Sequence, residues 1–511
     1  MNHVFLNSGL TPADVWDIAN GFQLEVSEVA QRRVRESRNL VDEIIEKGIR
    51  AYGVNTGVGL LADTIVSPES QKRMSRNLVM SHAVGVGEPL SKTEVRAIIA
   101  CAVANHCHGF SGIRWEIVNS LVRLLNADCI PVVPCQGSVG YLSHMAHIGL
   151  VVIGHGHAFV DGRQMTGSEA LTHIGLVPAV LEGKEGLSLV GSAPCACGLA
   201  CVALGKAKSL LSWSNYIAAL SFEALKGQAS VFDPNALNFR KSQGIQHIGQ
   251  AMREILQGSE ILAEASGNKT QDALSLRAIP QVHGALFDVL VHVESVLREE
   301  LNSVTDNPLL QKVEGTLLVI SEAHGVAAGA GLAVEYLGLS VAQLGVISER
   351  RLDRMVNPLV SEMPAFLAQQ GGDSSGFMIA QYTALSLTGD NRRLASPAAL
   401  DGGVTSGLQE DLLCHATSSA LKTGRIVDNV RHILAIELLA AMQASGYAVH
   451  ALAPATTRMV KSVRQYFKPY NDDRPLGEEI ESMATFLTEK SPGFWDVDTH
   501  STYEMNNLET V

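Results

Sequence analysis

The sequence predicts a mainly α protein, with an elongated central helical bundle behind a smaller mixed N-terminal portion. Three observations predict it. Apolar residues make up 46% of the 511 residues, aromatics only 5%, and there are 46 glycines, so small and aliphatic side chains dominate, as close helix packing requires. Leu286, Val289, Leu290, Val293, Val296, Leu297 and Leu301 recur at three- and four-residue spacing, which is one face of a helix. The run 325–348 is apolar nearly all round, which predicts a central helix buried on every side.

The remaining elements follow in chain order. Thr11-Pro12-Ala13-Asp14 opens a helix: Thr11 caps it, Pro12 suits its first turn and Asp14 complements its positive end. A second helix is expected over 26–48, stopped at Gly48. Residues 51–59, rich in glycine, form a loop whose backbone can come close to a bound molecule. Ser91-Lys92-Thr93-Glu94 is a capping box ahead of the apolar run 95–103. Beyond Gly137 the pattern turns helical, with 151–153 leading to a turn over 154–162. Further helices are expected over 412–439, 457–467 and 476–487, the last two separated by the stretch from Pro469 to Pro475. Strand-like patches are short, as at 317–320. There is no repeat, low-complexity tract or charged linker. Three portions are expected: 1–115 with the Tyr52 loop, 116–470 as the central bundle, and 471–511 as a C-terminal helical segment and tail.

A net charge of −13 argues against a nucleic-acid or anionic-membrane partner. No charged-then-apolar leader opens the chain, and the apolar runs read as too short and too interrupted by Gly and His to span a bilayer. The eight cysteines have no CxxC pairing, so they are expected reduced and buried, in a cytoplasmic protein; Cys195 and Cys197 read as small core residues.

Short stretches carry a family resemblance. Tyr52-Gly53-Val54-Asn55-Thr56-Gly57, Ser81-His82-Ala83, Gly109-Phe110-Ser111-Gly112-Ile113-Arg114, Gly137-Ser138-Val139-Gly140, Lys184-Glu185-Gly186-Leu187, Asp306-Asn307-Pro308, Ser348-Glu349-Arg350-Arg351, the run 376–381 and Gln409-Glu410-Asp411 resemble, in order and spacing, the aromatic amino acid ammonia-lyase and aminomutase family, most of all its histidine-specific members. The resemblance covers nearly the whole chain. It implies an all-α fold of ammonia-lyase type, a small amino-acid-derived substrate, and a homotetramer whose sites combine segments of three subunits. It implies Tyr52 as the general base and His82 as a residue that orients or tunes it. A phenol starts near pKa ~10, so such a base has to be depressed by positive neighbours or helix ends. The resemblance makes Arg277 the grip on the substrate carboxylate, for which a two-pronged guanidinium is suited. Gln271 and Asn307 would line the same pocket, and Glu410 would face a substrate imidazole. The plainer alternatives are a packing tyrosine, a structural histidine, backbone-satisfying amides and interface ion pairs.

The sequence departs from the family at one cluster. The family's Gly-Ser-Val-Gly runs into Ala-Ser-Gly, which cyclises into an electrophilic methylidene-imidazolone. Here the positions read Tyr141, Leu142 and Ser143: Leu142 has no hydroxyl to lose, and Ser143 puts a Cβ on the nitrogen that has to attack. Gly191, Leu274 and Gly325 replace an asparagine, a tyrosine and a phenylalanine beside that group, and His144, His147 and His324 replace polar or proline positions. The expectation is a carbon–nitrogen lyase with no prosthetic group, cofactor or metal, similar to the ergothionase branch, which lacks the triad and expels trimethylamine. Gly191, Leu274 and Gly325 would clear room for a trimethylammonium, Tyr141 would face it by cation–π contact, and His324 would join the substrate pocket. Three alternatives stand beside this: another triad-free enzyme (isomerase, cyclase or amine-adding), a metal-dependent lyase using His144, His147 and His324, and a non-catalytic tetrameric binding protein.

Overall fold

The structure is a computed structural model that describes residues 2–369 and 371–493; the tail of the expected C-terminal portion, 494–511, lies outside the described residues. It is predominantly helical, and the chain forms two compact units. The first comprises Met1–Gly205, His292–Tyr336 and Pro397–Gly424; the second comprises Lys206–Val291, Leu337–Ser396 and Arg425–Val511.

In the first unit, local chemistry sets the element ends as the sequence reads them. The helix Pro12–Ala19 starts at a Thr11–Asp14 capping box, and Lys92–Cys107 starts at a Ser91–Glu94 box. The second helix is Glu28–Glu46, capped by Ser27, and the chain turns at Gly48 with φ +64. Strands His3–Leu6 and Gln23–Val26 pair in parallel across the first helix, a pairing the sequence pattern did not announce. The expected turn over 154–162 holds a strand in its middle: His157–Val160 pairs antiparallel with Arg163–Thr166. The hairpin turn is Asp161-Gly162, both at positive φ, the two-residue connection whose twist matches a hairpin. The patch at 317–320 belongs to strand Thr316–Ile320, paired with Leu309–Val313. The helix Pro194–Ala224 passes against Lys92–Cys107 so closely that a Cβ at Gly198 would stand 2.7 Å from the backbone nitrogen of Ile98.

The apolar run 325–348 forms the helix Ala328–Val356, starting later and ending later than expected. It is not buried on every side. Leu332, Tyr336, Leu339 and Val346, spaced to share one helix face, are exposed by 59, 52, 48 and 43%. Periodicity cannot see this, because it reports which residues are apolar and not what covers them. The helix expected from 412 begins at Ala416 and runs to Ser445, since His415 sits at φ +46. The two last helices are Pro454–Val463 and Gly477–Glu489. The expectation that every apolar run is too short for a bilayer also needs correcting. The segments Glu185–Ala224 and Ala328–Val356 are long and apolar enough by length and composition, but they are 94% and 67% buried against the rest of the protein. All eight cysteines are free, and only Cys135 is more than marginally exposed.

The second unit is centred on one ion pair. Arg351 meets Glu437 as a fork, Nε to Oε1 at 2.6 Å and Nη2 to Oε2 at 2.9 Å, with both side chains fully buried. Ser221 and Ser348 donate to the same two oxygens at 2.7 and 2.5 Å, so the carboxylate is saturated. Removing one partner strands a charge in a dry interior. Glu437→Gln is expected to cost about 3–5 kcal/mol of unfolding free energy, read as a lower urea midpoint at unchanged slope.

Candidate functional site

The site of the first unit is built around the short helix Glu185–Val190. Lys184, at φ +75 and fully buried, reaches Asp306 Oδ1 and Ser188 Oγ, both at 3.1 Å. Arg114 forks onto the buried Glu185 at 2.7 Å through Nε and Nη2. Gly186 lies against the helix Pro68–His82, where a Cβ would stand 2.1 Å from the carbonyl oxygen of Ser75. Leu187 packs on the Tyr52 loop at Gly53, itself at φ +60 and without room for a side chain. The Val190 carbonyl accepts the Leu142 N–H at 3.1 Å. One six-residue helix therefore fixes the Tyr52 loop, the 141–143 turn and the Asp306-Asn307 segment relative to each other.

Tyr52 is half-buried, and its hydroxyl accepts the Gly59 N–H at 3.1 Å. Burial holds its pKa above the ordinary phenol value; the Gly59 bond pulls it down and the Glu410 charge pushes it up. No positive side chain contributes, so the depression expected of a base is not supplied by this chain. Tyr141 stands well above the phenol range, through burial and then through the charge and hydrogen bond of Glu410. Glu410 Oε2 also accepts Thr405 Oγ1 at 2.8 Å and Ser406 Oγ at 3.0 Å. His82, with Nδ1 3.1 Å from Ser81 Oγ, is held below the usual imidazole value by burial, which the Leu78 carbonyl and Glu410 partly offset. Tyr52, His82, Tyr141 and Glu410 thus share one electrostatic neighbourhood.

The 141–143 segment is strained. Leu142 takes φ 80 and ψ −76, and the Ser143 N–H bonds back to the Tyr141 carbonyl at 3.3 Å, a γ-turn of the rare positive-φ kind. Ser138 Oγ and Thr417 Oγ1 hold it from outside, donating to the Tyr141 and Gly140 carbonyls at 3.0 and 2.9 Å. Ser143 then begins the helix Ser143–Val152, with its hydroxyl buried and unpartnered among the described residues. The residues do not fit an imidazolone. The middle side chain is aliphatic, and the third residue carries a Cβ packed into the helix start.

The other candidates fall in different places. Asn307 Oδ1 accepts the Glu322 N–H at 3.1 Å, and His324 Nδ1 lies 2.8 Å from Glu322 Oε2. A Cβ at Gly325 would touch nothing nearer than the Thr305 carbonyl at 3.5 Å, so that position is open. Arg277, half-buried with Nε on the Asp272 carbonyl at 3.2 Å, and the exposed Gln271 and Leu274 belong to the second unit. His144 is buried against the Cys135 carbonyl at 3.1 Å, and His147 Nε2 accepts the Gly85 N–H at 3.0 Å. The three histidines do not converge; among the described residues no three His, Cys, Asp or Glu side chains gather to hold a metal. The sequence reading missed Glu322, Thr405 and Ser406. That Lys184 and Asp306 pair is not disclosed by the sequence either, since they lie 122 residues apart.

Comparison with known proteins agrees with this geometry. The aromatic amino acid lyase family matches residues 10–465. A histidine ammonia-lyase of Treponema denticola is 39% identical over 94% of this chain and 96% of its own length. One of Symbiobacterium thermophilum is 39% identical over 95% and 97%. Among solved structures, histidine ammonia-lyase from Trypanosoma cruzi superposes with a TM-score of 0.88 at 33% identity, covering 95% of this chain and 93% of that one. The ergothioneine-degrading enzyme ergothionase from Treponema denticola superposes at 0.89 and 28% identity, covering 96% and 99%.

The intact mass of the purified protein is expected to equal the sequence mass. A deficit of two waters, or inactivation by borohydride, would show that the 141–143 turn had cyclised after all.

Proposed function

The chain belongs to the aromatic amino acid lyase family, a family of carbon–nitrogen lyases, and within it we propose a lyase that works without the imidazolone, eliminating an amine from a histidine-like betaine. The observation that carries this reading is the pairing of a Tyr141-Leu142-Ser143 turn whose side chains do not suit cyclisation with a cluster of Tyr52, Tyr141 and Glu410. Without an electrophile to activate it, the substrate has to bring its own leaving group. A quaternary ammonium meets that need by departing as a neutral amine.

The electrostatics point the same way. Tyr52 lacks a positive neighbour, and a cation bound beside it supplies one, lowering its pKa as substrate arrives. The phenolate then takes the β-proton, the C–H electrons form the Cα–Cβ double bond, and the C–N electrons leave with the amine. Tyr141 offers the cation an aromatic face, and Glu410 offers a charge. Arg277, from another copy of the chain, holds the carboxylate in this reading. The uncovered face of the Ala328–Val356 helix supports a homotetramer in which copies of that face meet, in a cytoplasmic protein.

Histidine, hercynine and ergothioneine, followed for ammonia or trimethylamine and for acrylate absorbance, test the activity; release from none of them would refute it. Tyr52→Phe keeps the ring and deletes the ionisable oxygen, so kcat is expected to fall at least about a hundredfold with the melting point unchanged. Since the deprotonated phenol is the active form, a raised pKa places the rising limb of the pH–rate profile high. Glu410→Gln removes a charge that raises Tyr52 and should move that limb to lower pH. Leu339→Glu on the exposed helix face is expected to give smaller species by light scattering at micromolar concentration.

A further inference from the structure

One carboxylate outside the expected site residues is held as few surface acids are. Glu322 follows strand Thr316–Ile320 in a short loop, yet its side chain is only 13% exposed. A continuous set of bonds leads to it from the interior. Lys184 and Asp306, both fully buried, form the ion pair described above. Asn307, next in the chain, receives the Glu322 N–H on its side-chain oxygen. Glu322 Oε2 in turn takes both the backbone N–H and Nδ1 of His324. Glu322 Oε1 is sealed from solvent with no partner among the described residues, and so are Asp306 Oδ2 and His106 Nε2 nearby. Burial pushes the Glu322 pKa up, with contacts from His324 lowering it and from Asp306 raising it. Burying an acid in this way costs free energy, and a surface ion pair would not require it.

The end of this set is an imidazole that is 55% exposed. With a carboxylate as its partner, Nδ1 is the ring nitrogen that donates, and in the neutral imidazole Nε2 is then left as a hydrogen-bond acceptor whose direction Glu322 fixes. His324 adjoins Gly325, where the structure leaves room beside Thr305 and Ser192. Ser192 closely follows the helix Glu185–Val190, whose Val190 carbonyl accepts the Leu142 N–H.

We propose that Glu322 is a positioning residue, and that the His324 it fixes is the acceptor that selects substrates carrying a ring N–H. This rests on the histidine-like substrate of the preceding reading and adds the residue pair that enforces it. Glu410 is already engaged by Thr405, Ser406 and Tyr141, so a second acceptor for the ring is chemically in place.

Two inert acrylates of equal length test it by calorimetry on the full chain: 3-(imidazol-4-yl)acrylate, which has a ring N–H, and cinnamate, which has none. The native protein is expected to prefer the imidazole compound at least about tenfold, because an acceptor left unpaired by cinnamate is penalised. His324→Ala and Glu322→Gln should each abolish the preference, Glu322→Asp should keep part of it, and the double variant should be no worse than His324→Ala. A purely structural role would weaken both ligands alike and leave their ratio unchanged. The proposal is overturned if the preference survives in either single variant, or if the native protein binds both probes equally or neither. Exposed His324 carries the test should Glu322→Gln fail to fold. The readout is binding, so a protein that shows the preference but releases no amine refutes the lyase reading and leaves this one standing.

Discussion

The buried pair of Lys184 and Asp306 is the constraint on which the site depends. Two charges are taken fully out of water, which is costly unless geometry and hydrogen bonds compensate, and Ser188 supplies only part of that. What the pair gains is position. Lys184 at positive φ launches the helix Glu185–Val190, and Asp306 launches the segment that carries Asn307. Strained backbone recurs around the same helix, at Lys184 before it, Ser192 after it and Leu142 bonded to its end. Such strain persists only where surrounding contacts over-determine the conformation, and here they are glycine-width approaches and the bonds that Arg114 and the Glu182 N–H make to both oxygens of Glu185.

The charge balance of this neighbourhood is the second organising fact. Tyr52 and Tyr141 are both held protonated by burial, with Glu410 between their influences and no lysine or arginine acting on either. A cation would be favoured by the carboxylate and by two aromatic rings, and would in the same act release the phenol proton. The turn at 141–143 carries the Tyr141 phenol and is held by bonds from Ser138 and Thr417.

By itself the sequence determined what depends on neighbours along the chain. Capping boxes at Thr11 and Ser91 set helix starts, three- and four-residue stripes set helix faces, and the order of short motifs identified the family. The side chains of Leu142 and Ser143 do not fit an imidazolone, and that much is legible from residue identity alone. Only the tertiary structure decided which residues meet. It showed that Glu410 answers to Tyr141, Thr405 and Ser406, that His144 and His147 are spent on backbone partners, and that the loop residue Glu322 is mostly buried. It also showed that one face of the Ala328–Val356 helix is left uncovered within the chain. Periodicity and propensity encode the local preference of each segment. Burial, pKa and hydrogen-bond choice depend on which groups the fold brings together, whether 122 residues apart as in Lys184 and Asp306 or within one loop as in Thr405 and Glu410, and those distances exist only in the folded chain.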